Sequence, residues 1–285
     1  MHAASFAHVS LFVFFSFAFS GFAFAADSVS ILFLHHSTGG AVYSEGSVSD
    51  WFDAYNTAHG TQYNISQRGY PNSPYAWKNY PYDYWYLWVD GHCDSSQSGI
   101  ECLDSLAADH DMIILKHCYP GADIRADSGT PDVASETKTL GNYKLQYRAL
   151  RQLMDSYPDT MFMFWTLAPR HRLATNDENA ARAAEFVDWV KNEFLTEDGE
   201  PHPNIFIFDF FGVVAESDTD PAQGKVNCLK YDYEKSHTGS NSHPNTLANE
   251  TAGPIFSQAI VDAINNFEAR KMGIILPIIS LFLLQ

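Results

Sequence analysis

Short apolar runs recur along the chain, and each ends in a polar or glycine-bearing turn. The clearest is Ile31-Leu32-Phe33-Leu34, which runs into His35-His36-Ser37-Thr38-Gly39-Gly40. Similar runs stand at 112–115, 161–165 and 205–208, and Tyr63-Asn64-Ile65-Ser66 can form a brief further strand. Runs of four or five apolar residues without polar alternation are how strands buried on both faces look in sequence. Between them, apolar residues fall at helical spacing over 49–58, 140–154, 179–195 and 247–267, the last with an expected break near Gly253-Pro254. This alternation predicts βαβ units around a mainly parallel five-stranded sheet, an α/β domain. No internal repeat or long linker divides it.

One stretch does not fit the alternation. Residues 70–94 hold Tyr70, Tyr75, Trp77, Tyr80, Tyr82, Tyr84, Trp85, Tyr86 and Trp88, interrupted by Pro71, Pro74 and Pro81. The prolines exclude one long helix or a central strand, so a long loop with a helical turn is expected. Two uses compete for its rings. They either cover the sheet, as aromatics in cores do, or present flat apolar faces with polar handles for stacking on sugar rings.

Both ends of the 285-residue chain read as foreign to this domain. Residues 9–24 are almost wholly apolar or small and lead to small residues around Ala25-Ala26, the pattern of a secretory signal peptide. The expected organisation is a leader over 1–26, one folded domain over 27–270 and an apolar tail over 271–285. The tail is shorter than the roughly 20 residues that span a bilayer. A weak membrane association, a sorting signal and a last packed segment all fit it. The protein is therefore expected to be secreted or periplasmic.

A net charge of −17 argues against a nucleic-acid partner. The four cysteines of an exported chain favour disulfides. Cys93 and Cys102 close a short loop and are the first expected pair; Cys118 and Cys228 form a second bridge or stay as buried thiols. Asn64 and Asn249 stand in glycosylation-acceptor patterns.

Candidate chemistry sits at the two ends of the strand series. Open α/β sheets place chemistry at the carboxyl ends of their strands, where Ser37 stands. Gly39 and Gly40 after it would let backbone N–H groups approach a reacting oxygen. A serine needs a base to become nucleophilic, and His243, in Ser242-His243-Pro244-Asn245 before the last helix, is the usual kind.

A serine after the first strand and a histidine before the final helix, with five strands between, resembles the SGNH (GDSL-type) hydrolase superfamily. The resemblance implies a flavodoxin-like three-layer sandwich and an esterase. In that family an Asp-x-x-His block precedes the last helix. The oxyanion is held by the serine N–H, a glycine N–H after the second strand and an asparagine side chain after the third. Gly69 fits the glycine. Elsewhere the chain departs from the pattern. His36-Ser37 replaces Asp-Ser, and Lys116-His117-Cys118-Tyr119-Pro120-Gly121 lacks the asparagine block, leaving His117, the Cys118 backbone or another loop as donor. Ser240 stands where the aspartate belongs. It can orient an imidazole but supplies no charge. Asp209, Glu216, Asp232 or Glu234 could supply it from elsewhere, or a Ser-His dyad could suffice.

The expected substrate is an O-acylated carbohydrate, O-acetylated foremost. Ser37 and His243 would be catalytic, and Gly69, His36, His117, Arg170, Tyr70 and Trp77 would serve the oxyanion or the substrate. Arg170, His171 and Arg172 form a small basic cluster that would receive an anionic saccharide group or else pair with nearby acids such as Asp177 and Glu178. No ligand spacing indicates a metal, and no cofactor is expected. Two alternatives use the same residues differently: β-elimination on a uronic-acid polymer, with Arg170 or Arg172 neutralising the carboxylate, and carbohydrate binding without turnover.

Overall fold

The computed structural model describes residues 28–273. The expected leader and nearly all of the apolar tail lie outside them. In chain order the elements are β1 (Ser28–His35), α1 (Thr38–Glu45), α2 (Val48–His59), β2 (Gln62–Gly69), α3 (Pro81–Tyr84), α4 (Leu103–Asp109), β3 (Met112–Leu115), α5 (Leu140–Met154), β4 (Met161–Trp165), α6 (Asp177–Asn192), β5 (Ile205–Phe208), α7 (Phe210–Val214) and α8 (Thr246–Lys271).

All five strands are parallel, in the order β2-β1-β3-β4-β5, and helices cover both faces, a flavodoxin-like three-layer sandwich. Strand residues alternate between two cores, which is why the apolar runs are unbroken. Leu32, Leu34, Ile113, Leu115, Phe162 and Phe164 face α5, α6 and the aromatic segment. Ile31, Phe33, Met112, Ile114, Met163 and Trp165 face the side of α2, α7 and α8. Side-chain caps start the long helices: Thr139 accepts from Asn142 N, Asn176 from Asn179 N and Asn245 from Ala248 N. The strand order reverses between β1 and β3, so the chain leaves these neighbours in different directions and opens a crevice beyond their carboxyl ends.

Two expectations change, and one choice left open is decided. A helix, α1, begins directly after Ser37 where only a turn is expected, because the glycines serve packing: a Cβ on Gly39 would lie 2.5 Å from the His35 Cβ. Gly39 N also donates to the His36 carbonyl, so it is not a free oxyanion donor. Secondly, α8 runs unbroken through Gly253-Pro254, with Pro254 on its exposed side. Gly253 is there for close approach, since a Cβ would come 2.3 Å from the Gly46 carbonyl at the end of α1. Thirdly, the aromatic segment is mostly core cover. Tyr70, Tyr80, Tyr84, Trp85 and Trp88 are buried, and α3 continues into a π-helical turn over Trp85–Val89. Asp83 organises its entrance, accepting from Lys78 N, Asn79 N and the Tyr75 hydroxyl.

Cys93 and Cys102 form a disulfide, whereas Cys118 and Cys228 are buried free thiols. Asn64 is exposed on the edge strand β2, but Asn249 is buried in α8 and donates to Glu45. No helix among the described residues is long and apolar enough to cross a membrane.

Candidate active site

Ser37 stands between β1 and α1 with φ 36° and ψ −87°, a conformation that costs an L-residue about 1–3 kcal/mol. It occupies the N-cap position, where a serine hydroxyl ordinarily accepts from the first helical turn. Here it makes no cap bond, and among the described residues Oγ makes no hydrogen bond at all. The side chain is exposed at the β1/β3 crevice. A strained backbone that holds a hydroxyl out and unengaged is the local geometry a nucleophile needs.

His243 lies on the loop entering α8. Its ring is held by a residue that sequence reasoning passed over. Asn241 Oδ1 accepts both the His243 backbone N–H at 3.1 Å and the ring Nδ1–H at 2.8 Å. A backbone N–H can only donate, so the acceptor is the amide oxygen, Nδ1 carries the proton and Nε2 is left free to take one. This is the tautomer a general base requires. Asn241 thus performs the orienting role expected of Ser240. It supplies no charge, and none of the candidate acids bonds to the ring. Glu234 is buried and paired with His171, Arg172 and His237; Asp209 caps α7 and pairs with Lys191. Burial, with Lys235 and then Lys116 nearby, holds His243 below the usual imidazole range.

The turn after β3 packs against both the loop that carries Ser37 and the loop that carries His243. Thr38 Oγ1 lies 3.2 Å from Cys118 Sγ, and the next residue, Tyr119, packs edge-on against His243 with ring centroids 4.9 Å apart. The two side chains flank that turn without a direct hydrogen bond between them among the described residues. Catalytic hydrogen bonds are often loose before substrate arrives.

No family model matches the chain, and no curated protein or solved structure is significantly similar to it.

The other expected site residues divide. Gly69 ends β2 beside Ser37's strand; a Cβ there would lie 3.7 Å from Asn72 Nδ2 and 3.8 Å from the His36 ring. Asn72 is exposed and its amide NH2 makes no hydrogen bond among the described residues, so it adds a side-chain donor beside Gly69 that no motif marks. His36 is buried, donates Nε2–H to the Pro71 carbonyl at 2.6 Å and is stacked under Trp77, centroids 3.6 Å apart. Burial lowers its pKa to about 4, so it is a neutral ring. Trp77, unlike the buried rings of Tyr70, Tyr80 and Tyr84, is 36% exposed and forms an aromatic shelf over His36, the residue before Ser37.

Three expected residues are placed elsewhere. Tyr70 is fully buried, and its hydroxyl donates to the Glu101 carbonyl. Arg170 is paired with Asp123 at 3.2 Å rather than left open for a saccharide anion. His117 points away from the crevice into the aromatic core, against Tyr84 and Tyr147, with neither ring nitrogen bonded. Among the described residues no cluster of metal-ligating side chains occurs.

Proposed function

We propose that the chain is an exported SGNH-like serine esterase that removes O-acyl groups, acetyl foremost, from a carbohydrate. The observation that carries this reading is Ser37: an exposed, unbonded hydroxyl on a strained turn at the carboxyl end of a central parallel strand. His243, with Nε2 free, would take the Ser37 proton as Oγ attacks the acyl carbon. The N–H groups of Ser37 and Gly69, with the Asn72 amide, would receive the oxyanion. Collapse of the intermediate returns the proton through His243 to the departing sugar hydroxyl. Water then repeats the sequence on the acyl-serine, releasing the acid and the free enzyme. The Trp77 face offers the apolar platform on which a pyranose ring stacks. The Cys93–Cys102 disulfide suits an oxidising compartment.

The competing β-elimination reading needs a cation free to neutralise a uronate. Arg170 is committed to Asp123 and Arg172 to Glu234, so the esterase is preferred. Hydrolysis of an aryl acetate by the purified domain, abolished in Ser37→Ala, is the expected result. A phosphonate probe should label Ser37. Undiminished turnover in Ser37→Ala removes this mechanism.

A further inference from the structure

The loop closed by the Cys93–Cys102 bridge has little core of its own. None of residues 89–99 is buried, and Ile100 is the loop's one buried apolar side chain. Its ends are drawn together by the bridge and by Asp94 N, which donates to the Ile100 carbonyl at 2.8 Å. A segment with so few buried contacts opens readily unless its ends are tied.

What this loop touches is the segment that carries the proposed oxyanion donors. Asn72 N donates to the Gly99 carbonyl at 2.7 Å, and Gly99 lies so close to Ser73 that a Cβ would run into the Ser73 carbonyl oxygen. The Glu101 carboxylate pairs with Arg68, one residue before Gly69. The Glu101 carbonyl accepts from the Tyr70 hydroxyl at 2.8 Å and from Trp88 Nε1 at 3.1 Å. Arg68, Tyr70 and Asn72 are thus all bonded to residues 99–101, with Gly69 and Pro71 between them. On its other side the same segment is joined to the turn before Ser37. Tyr70 N donates to the His35 carbonyl at 3.1 Å, and the Pro71 carbonyl accepts His36 Nε2–H.

We propose that the bridged loop is a positioning element for the oxyanion side of the site, and that opening the bridge slows the reaction while the sheet stays folded. This rests on the reading of Ser37 as nucleophile with Gly69 and Asn72 as donors. It adds a claim of its own: residues 99–101 hold the 68–73 segment in place only while Cys93 and Cys102 are joined. A donor helps only where charge develops, so a displacement of about 1 Å loses up to about 100-fold in rate. The reductant is a dithiol. Its thiolate attacks one sulfur of the bridge, forms a mixed disulfide and leaves as a cyclic disulfide, having given two electrons and two protons to the two cysteines. The chain has four cysteines, and the other two are buried free thiols, so this is the one bridge a reductant meets.

The test follows amide hydrogen exchange by NMR in the whole chain before and after dithiothreitol, with kcat and KM for an aryl acetate measured alongside. Reduction should speed exchange at Asn72 by about 10-fold or more and leave Ile113 of β3 and Met163 of β4 protected. It should lower kcat by roughly 10–100-fold and keep KM within about 3-fold, and reoxidation should restore the rate. Unchanged exchange at Asn72, or protection lost in β3 and β4 as well, overturns the proposal. Gly99→Ala, with the bridge intact, pushes the loop off Ser73 and should reproduce both effects. Ser98→Ala, at an exposed neighbouring position, should give neither. A Gly99→Ala protein that behaves like Ser98→Ala also overturns the proposal. Turnover retained in Ser37→Ala removes the esterase mechanism, and exchange at Asn72 still decides whether the bridge holds the 68–73 segment. Turnover that needs Ser37 yet is indifferent to reduction keeps the esterase and overturns the positioning role.

Discussion

Replacing His117 by leucine separates a site role from a core role. The ring is 1% exposed between Tyr84 and Tyr147, and neither nitrogen has a partner. Burial, with Lys116 beside it, lowers its pKa to about 3, against about 6.5 in an unfolded chain. The sign follows from linkage. Between these values the unfolded state binds a proton that the folded state refuses, so stability falls as pH falls. The slope is about 1.4 kcal/mol per pH unit, which amounts to about 2 kcal/mol at pH 5 and saturates near 5 kcal/mol below pH 3. Above pH 7 no proton is involved. There the neutral ring still leaves two polar atoms unbonded, a cost of about 1–3 kcal/mol that leucine, of similar volume, removes. Urea unfolding of both proteins from pH 7.5 to 5 is the measurement. His117→Leu should be at least as stable at pH 7.5, its advantage should widen by about 1.4 kcal/mol per unit below pH 6.5, and ester hydrolysis should be retained. Parallel pH dependences, or a folded variant without activity, would refute the core placement of this ring.

Four further outcomes are expected. Asn241→Ala should lower kcat by roughly 10–10³-fold with little change in KM, because the ring loses the acceptor that sets its tautomer. Asn241→Asp should move the acid limb of the pH profile upward by about 1–3 units, since a carboxylate favours the imidazolium. Trp77→Ala should raise KM for an acylated saccharide by roughly 3–10-fold, the equivalent of about 1 kcal/mol of stacking, and leave kcat for a small aliphatic ester near its starting value. Ser37→Gly should be more stable than Ser37→Ala by about 1 kcal/mol in thermal or urea unfolding, because glycine adopts φ 36° without the penalty that alanine keeps. Equal stabilities would show that the turn carries no strain.

Most of the architecture was legible because buried parallel strands leave a strong trace: the four apolar runs, from Ile31 to Phe208, and the brief stretch at 63–66 are strands of one sheet. The errors have local causes. The short helix α1 carries two glycines in its first turn, which reads as a turn unless one knows that the His35 ring fills their missing side chains. Gly253-Pro254 reads as a break because the close crossing with Gly46, two hundred residues away, is not visible in the sequence. The placement of His117 was available from periodicity. Extending the two-residue alternation of β3 beyond Ile113 and Leu115 puts His117 on their face and Lys116 on the other, where the site lies. Family resemblance favoured the opposite assignment, and the strand parity was the better guide.

Asn241 shows why the missing aspartate is less damaging to the proposed chemistry than it first looks. An acid in a triad does two separable things: it selects the imidazole tautomer and it stabilises the imidazolium. The first needs only an acceptor at Nδ1, and an amide oxygen locked by the His243 backbone N–H provides one with no proton to lose. The second needs negative charge, and among the described residues no carboxylate bonds to the ring. A site built this way would give up transition-state stabilisation of the cation, while burial of the His243 ring lowers its pKa. It should be slower than a full triad at neutral pH and lose less of its activity on mild acidification. In the proposed mechanism the ratio of the two rates, rather than either alone, is what the Asn241–His243 pair would set.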